Sequence, residues 1–368
     1  MTWEPERLDD QRHLGEADPG GMLPAVAASA AHIRTGYRSA VEARVDRLAG
    51  FGRPRAIVVA GMGGSGLAGD LLAAVVGKGA PLPIVTLRSY QLPGWVGAAD
   101  LVVTVSGSGT TEETLSLATQ AVRRGCTLLG VGPAGSPLEA IATQASAVYV
   151  PVPVSGQSRA GLWLLSVPLI VAAAELRLVQ ADADLFERVA GSLEDMAHRC
   201  RPSSESFINP GKSLAMDLAE SVPMIWGSSP VASVAAYRLV CQLGANAKYP
   251  AIFGELPEAD HHQVAVFDGP LAERDIFADT AARSLRLVML RDVEEHPQVT
   301  RRREASLRLA RERDVPVTEL TAEGTHPLER MAWLIGLADY ASTYLALGYG
   351  IDPSSASAIA EVKARISP

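Results

Sequence analysis

Cysteine is scarce in this 368-residue chain, and Cys126, Cys200 and Cys241 lie far apart with no CxxC spacing. A disulfide framework and a cysteine-rich zinc site are therefore not expected. Aromatic residues make up only 5% of the chain, and net charge is −8, which argues against a general nucleic-acid surface or an anionic-membrane surface. No apolar run reaches the roughly 20 residues of a membrane span. The longest, Ala160 to Ala174, is interrupted by Ser166 and Pro168. The opening Met1-Thr-Trp-Glu-Pro-Glu-Arg7 is acidic and polar, unlike a signal peptide. Lysine is also rare: of 33 basic residues only Lys78, Lys212, Lys248 and Lys363 are lysines, an arginine bias of the kind GC-rich genomes produce. These absences predict a soluble cytoplasmic protein with no nucleic-acid or membrane partner.

What is present is length enough for two domains of ordinary size, and 48% hydrophobic residues to fill them. Residues 1–36 mix proline, glycine and charge without a sustained period and read as an N-terminal extension that wraps the surface. A helical pattern follows from Tyr37 to Leu48. Short apolar runs then recur at Ala56–Ala60, Pro83–Leu87, Leu101–Val105, Thr127–Val131 and Ala147–Val152. They do not alternate strictly, as expected of strands covered on both faces. Helical segments separate most of them, among them Leu67–Val76 and Glu112–Arg124, which implies a parallel sheet sandwiched by helices.

Two further helices, Arg159–Leu176 and Asp182–His198, lead to the polar stretch Arg201-Pro-Ser-Ser-Glu-Ser206, the expected boundary between a domain at 37–200 and one at 201–368. The second half repeats the grammar, with strands at Pro223–Ser228, Leu285–Leu290 and Val315–Leu320. Its helices are read at Val231–Lys248, Gln298–Arg313, Met331–Leu347 and Ser355–Ile366. The fold class is α/β, with two three-layer αβα domains.

Gly61-Met-Gly-Gly-Ser-Gly66 separates the first strand from the helix after it. Glycines there admit positive φ and close approach of a ligand, and the helix start favours an anion. Gly61, Gly63 and Gly66 satisfy G-x-G-x-x-G, so a dinucleotide site has to be weighed. At the end of the second strand, however, Arg88-Ser89-Tyr90 offers no acidic residue for a ribose, though an arginine could meet an NADP phosphate. A second loop, Ser106-Gly-Ser-Gly-Thr-Thr-Glu-Glu-Thr114, also follows a strand and opens a helix. Thr110 and Glu113 have capping-box spacing. Capping does not require Ser106, Ser108, Thr110 and Thr111 all interleaved with two glycines, whereas a phosphate monoester in one small concavity would use them.

Gly61–Asp70 together with Ser106–Thr114 resembles the sugar isomerase (SIS) domain. The wider chain is similar to the bifunctional phosphoglucose/phosphomannose isomerase family, which has two SIS domains in tandem. The resemblance covers residues 40–366 and runs through Gln157-Ser-Arg-Ala160, Asn209-Pro-Gly-Lys212, Asn246-Ala-Lys-Tyr-Pro250, Pro257-Glu-Ala-Asp-His261 and Asp352-Pro…Lys363. It implies that Gly64, Ser65, Ser106, Ser108, Thr111 and Arg159 hold the phosphate of a hexose 6-phosphate, the arginine by pairing with its oxygens. It also implies interconversion of glucose 6-phosphate or mannose 6-phosphate with fructose 6-phosphate in a homodimer with shared active sites; no cofactor is expected, and no metal, since His261 and His262 have no third ligand at diagnostic spacing.

Such a reaction must open the sugar ring, move a proton between C1 and C2, and stabilise an enediolate. By resemblance, His261 (reaching across a dimer interface) and Lys363 are the catalytic residues, with Ser354 or Ser355 standing where the family has a threonine. The family's base is a glutamate just before Asn-Ala-Lys, and here that position is Ala245. Glu255, Glu258 and Asp260 lie in the same segment as His261, but Glu255 and Glu258 also occur in the active family pattern. The alternative is thus a phosphosugar-binding or regulatory protein that keeps the cradle and has lost the base. An NADP-dependent oxidoreductase is the third reading, and it leaves the hydroxyl-rich loop without a job.

Overall fold

The computed structural model describes residues 2–154, 156–272 and 284–366. They form two compact units, one of residues 27–194 and one that joins 1–26 to 195–368. The first residues hold α1 (Gln11–Ala17), N-capped by the Asp10 carboxylate, and α2 (Met22–Ala27). Leu8, Leu14, Met22 and Val26 of this segment are buried. Helices this short give an apolar period too little length to register. Asp9 ties the segment down. Burial would raise its carboxyl, but hydrogen bonds from Lys212 and Ser206 outweigh that and lower it.

The 27–194 unit begins with α3 (Ser29–Glu42). The helix expected over Tyr37–Leu48 in fact stops at Glu42, because Arg44 takes a left-handed φ of 57°, and a 3-10 turn, Val45–Phe51, follows. Then come β1 (Ile57–Ala60), α4 (Gly64–Val76), β2 (Ile84–Leu87), β3 (Leu101–Val105) and α5 (Glu112–Arg123). β4 (Thr127–Gly132), α6 (Pro137–Gln144), β5 (Val148–Pro151), α7 (Leu162–Glu175) and α8 (Ala183–Arg199) complete it, the last running on into the other unit. The five strands are parallel in the order β2-β1-β3-β4-β5.

Every residue of β1 and β3 is buried, which is why their sequences read as unbroken apolar runs. One face packs Val58, Ala60, Val102 and Leu128 against Leu92, Val96, Leu117 and Ala121. The stretch Ser158–Glu175 is long and apolar enough to cross a membrane by composition, yet 78% of it is buried inside the protein, as in a core helix.

The other unit continues with α9 (Pro210–Leu218), β6 (Ser221–Gly227), α10 (Pro230–Gln242), β7 (Ile252–Glu255), β8 (Ser284–Arg291) and α11 (Pro297–Glu312). β9 (Val317–Thr321), α12 (Pro327–Gly348) and α13 (Ser357–Ile366) end the described chain. Its sheet is parallel in the order β7-β6-β8-β9. Met224, Trp226, Leu285, Leu287 and Met289 pack with Leu307 and Ala310 of α11 on one face. Two readings are corrected here. The helix expected to run from Val231 to Lys248 ends at Gln242 and passes into a π-helical turn, Leu243–Ala247, closed by Lys248 at φ 55°. The strand β7 was not expected from the sequence.

Candidate functional site

In the order β2-β1-β3-β4-β5 the chain reverses direction across the sheet between β1 and β3, so the carboxyl ends of those two strands flank a crevice. Both glycine- and hydroxyl-bearing loops stand there. The first leaves β1 at Gly61 and turns through Gly63, whose φ of 53° and ψ of −126° suit glycine, into α4, which begins at Gly64. The second leaves β3 at Ser106 and passes Gly109, φ 68°, where a Cβ would come within 2.3 Å of Ser136 Cβ. Only glycine lets the loop lie that close to α6.

The hydroxyls of the second loop converge. Ser106 Oγ is 3.1 Å from Thr111 Oγ1 and 3.4 Å from Ser108 Oγ, and Ser108 Oγ is 3.3 Å from Thr111 Oγ1. Ser65 joins from the first loop, its Oγ accepting from Gly107 N at 3.3 Å. Ser106 is buried, Ser65 and Thr111 half-buried, and Gly64 and Ser108 exposed, so the cluster opens to solvent on one side. Thr110 and Glu113 do not form a capping box. The N-cap of α5 is Thr111, and its side chain caps nothing. The hydroxyls bond to one another instead, which leaves them available to a ligand that offers several acceptor oxygens.

A second layer fixes this loop. Ser136 Oγ and Tyr149 Oη are 3.0 Å apart, Tyr149 donates to Pro133 O at 2.8 Å, and Leu138 N donates to Gly109 O at 3.2 Å. Burial pushes the Tyr149 phenol up to about 12, so it remains a donor. This brace was not read from the sequence.

Arg159 sits half-buried in the 3-10 turn Ser158–Ala160 that leads into α7, and α7 passes beside the second loop: a Cβ on Gly107 would lie 3.6 Å from Leu165 Cδ1. His32 of α3 hydrogen-bonds the backbone of Ala160 in that turn, and burial pulls its imidazole below the ordinary value of 6.5. Arg88, the residue weighed for an NADP phosphate, is ion-paired with Asp70 of α4.

The remaining expected residues lie in the other unit. Ala245 occupies the π-turn after α10, half-buried, its carbonyl accepting from Lys248 Nζ at 2.6 Å. Lys248 Nζ also donates to Ser355 O at 2.7 Å, which joins the π-turn to the loop before α13. His261 ends the 3-10 turn Glu258–His261 and is exposed, as is Lys363 in α13. Asp260 accepts from Ser306 Oγ at 2.6 Å, whereas Glu255 and Glu258 are exposed. Ser354 donates its hydroxyl to Asp352 Oδ1 at 2.6 Å. Four of the predicted phosphate ligands, Ser65, Ser106, Ser108 and Thr111, are thus brought into one cluster.

Known proteins resemble this chain in sequence and in fold. The family described as bacterial phospho-glucose isomerase C-terminal SIS domain matches residues 207–366. A bifunctional phosphoglucose/phosphomannose isomerase from Caldicellulosiruptor bescii is 30% identical over 311 residues, 84% of this chain and 89% of that protein. One of the same name from Aquifex aeolicus is 29% identical over the same shares. The fold is shared with the crystal structure of tagatose-6-phosphate ketose/aldose isomerase from Escherichia coli, at a TM-score of 0.68 and 15% identity over 90% of this chain and 95% of that one. A chain with two parallel SIS-type sheets and this degree of identity along most of its length belongs to the bifunctional phosphoglucose/phosphomannose isomerase family.

Proposed function

We propose that the protein is a phosphosugar isomerase that interconverts glucose 6-phosphate or mannose 6-phosphate with fructose 6-phosphate. The observation that carries the reading is the cluster of Ser65, Ser106, Ser108 and Thr111 hydroxyls at the β1/β3 crevice, none of them spent on capping α5. Its size and donor count suit one terminal phosphoryl group, with Gly64 supplying a backbone amide and Arg159 a charge at the start of α7. The SIS domain at 37–200 is the phosphosugar-binding one on this reading, and 201–368 supplies the catalytic groups, with 1–36 as an N-terminal extension of the sequence. His261, contributed by a second copy in a homodimer, opens the sugar ring with Lys363. The setting is the cytoplasm.

Proton transfer between C1 and C2 needs a base, and Ala245 cannot accept a proton. Loss of a general base removes a factor of about 10²–10⁴ in rate. That one residue favours the second reading, a phosphosugar-binding protein with residual turnover or none. Coupled assays with the three hexose phosphates at high enzyme concentration separate the two. Measurable interconversion supports the isomerase, while tight binding of fructose 6-phosphate with no turnover leaves the binding protein. NADP raising the melting temperature while all three sugars leave it unchanged would defeat both.

A further inference from the structure

The two sheets share a plan. β1 and β3 flank the reversal in one, β6 and β8 in the other, and in each unit a long helix follows the last strand. The turn after β6 carries Ser228 and Ser229, and the residue after β8, standing where Ser106 stands after β3, is Asp292. Gly107 N donates to Ser65 Oγ in the 27–194 unit, and Asp292 N donates to Ser228 Oγ at 3.0 Å in the other. Arg159 precedes α7, and Arg330 lies in the first turn of α12.

In the 195–368 unit the place between these groups is filled. Ser229 Oγ donates to Asp292 Oδ2 at 2.8 Å, and Arg330 Nε lies 2.8 Å from Asp292 Oδ1 with both side chains 2% exposed. Val293 N donates to Oδ1 as well, at 2.8 Å. Ser229 is also the N-cap of α10, so the carboxylate lies at the positive end of a 13-residue helix. A serine hydroxyl, a helix start and an arginine are the donors that the β1/β3 cradle offers to phosphate.

The geometry points to a second anion cradle, in the 195–368 unit, whose anion is the chain's own Asp292 carboxylate; each chain therefore takes up a single phosphosugar, on the loops after β1 and β3. The count of one rests on the phosphosugar reading above, and the assignment of Asp292 does not. It makes Asp292 a built-in occupant, and it makes Arg330 the counterpart of Arg159.

The full chain tests both parts. Titration calorimetry with fructose 6-phosphate is expected to saturate at one equivalent per wild-type chain and to show none, at the same concentrations, in Ser65→Ala/Ser108→Ala. Two equivalents, or one persisting in the double variant, would overturn the proposal. A wild type that takes up none defeats the phosphosugar reading and the count, and Asp292 is then decided separately with inorganic phosphate.

For that, Asp292→Ala is added to the Ser65→Ala/Ser108→Ala chain. Arg330 keeps Glu294 and Thr325 O as partners, both within 2.8 Å, and gains a vacated position that phosphate can fill. Inorganic phosphate at about ten times its Kd should raise the melting temperature of the triple variant by about 4 °C, against no comparable rise in the double variant. Asp292→Ser, shorter than aspartate and still able to hydrogen-bond, also vacates the position, and in the same background it guards against a loss of folding by showing the same phosphate response. Equal responses with and without the Asp292 change refute the assignment.

Discussion

The amide of Gly107 donates to the hydroxyl of Ser65 at 3.3 Å, a bond that runs between the loops of two adjacent strands. It fixes the spacing of the crevice before any ligand arrives. Ser65 enters on α4 and Gly107 follows β3, so the hydroxyl cluster is held by the sheet rather than by loop conformation alone.

Removing hydroxyls from this cluster should cost binding and little stability. Hydrogen bonds to a charged group contribute about 1.5–3 kcal/mol each. Ser65→Ala or Ser108→Ala should accordingly weaken fructose 6-phosphate about 10- to 100-fold by calorimetry. Ser108 is exposed and Ser65 half-buried, so unfolding free energies should shift by less than about 1 kcal/mol. A variant that binds normally takes its hydroxyl out of the cradle.

Ala245→Glu tests what the family's base position does in this chain. The residue is half-buried in the π-turn Leu243–Ala247, whose carbonyls are held by Lys248 Nζ, so the new side chain enters a fixed backbone. If the chain is an isomerase weakened by losing that group, the turnover number for fructose 6-phosphate should rise by about 10²-fold. An unchanged or lower rate places the base elsewhere.

His32 gives a pH dependence whose sign is fixed. Burial lowers its pKa in the folded chain below 6.5, partly offset by the bond to Ala160. Between the folded value and 6.5 the unfolded chain therefore binds more protons, so stability rises with pH through that window. Urea unfolding at a series of pH values should show this slope, and His32→Gln should lose it. A slope unchanged in the variant rules His32 out as its source.

The strands of the 27–194 unit were legible because β1 and β3 are covered on both faces, and a strand buried on both sides is written as a short continuous apolar run. The phosphate loops were legible because glycine at positive φ and clustered hydroxyls leave a local signature. α1 and α2 were not, being too short to show a period, and most of α3 was not, because the residues it buries at helical spacing, Ala30, Ile33, Gly36 and Ala40, are all small except Ile33. α9 did leave a signal, Asn209-Pro210 with the Asn209 side chain accepting from Lys212 N, an N-cap followed by proline at the first helical position. The Thr110/Glu113 spacing pointed the wrong way because hydroxyl–hydroxyl bonds won over capping. Asp292 and Arg330 stand far apart in sequence, and only the sheet brings them together.

The most direct test is a crystal structure of the protein with fructose 6-phosphate. Phosphoryl oxygens are expected about 2.5–3.0 Å from hydroxyls of Ser65, Ser106, Ser108 and Thr111, with Asp292 still paired to Arg330. A sugar phosphate bound away from the carboxyl ends of β1 and β3, with those four hydroxyls making no contact to it, would contradict the account.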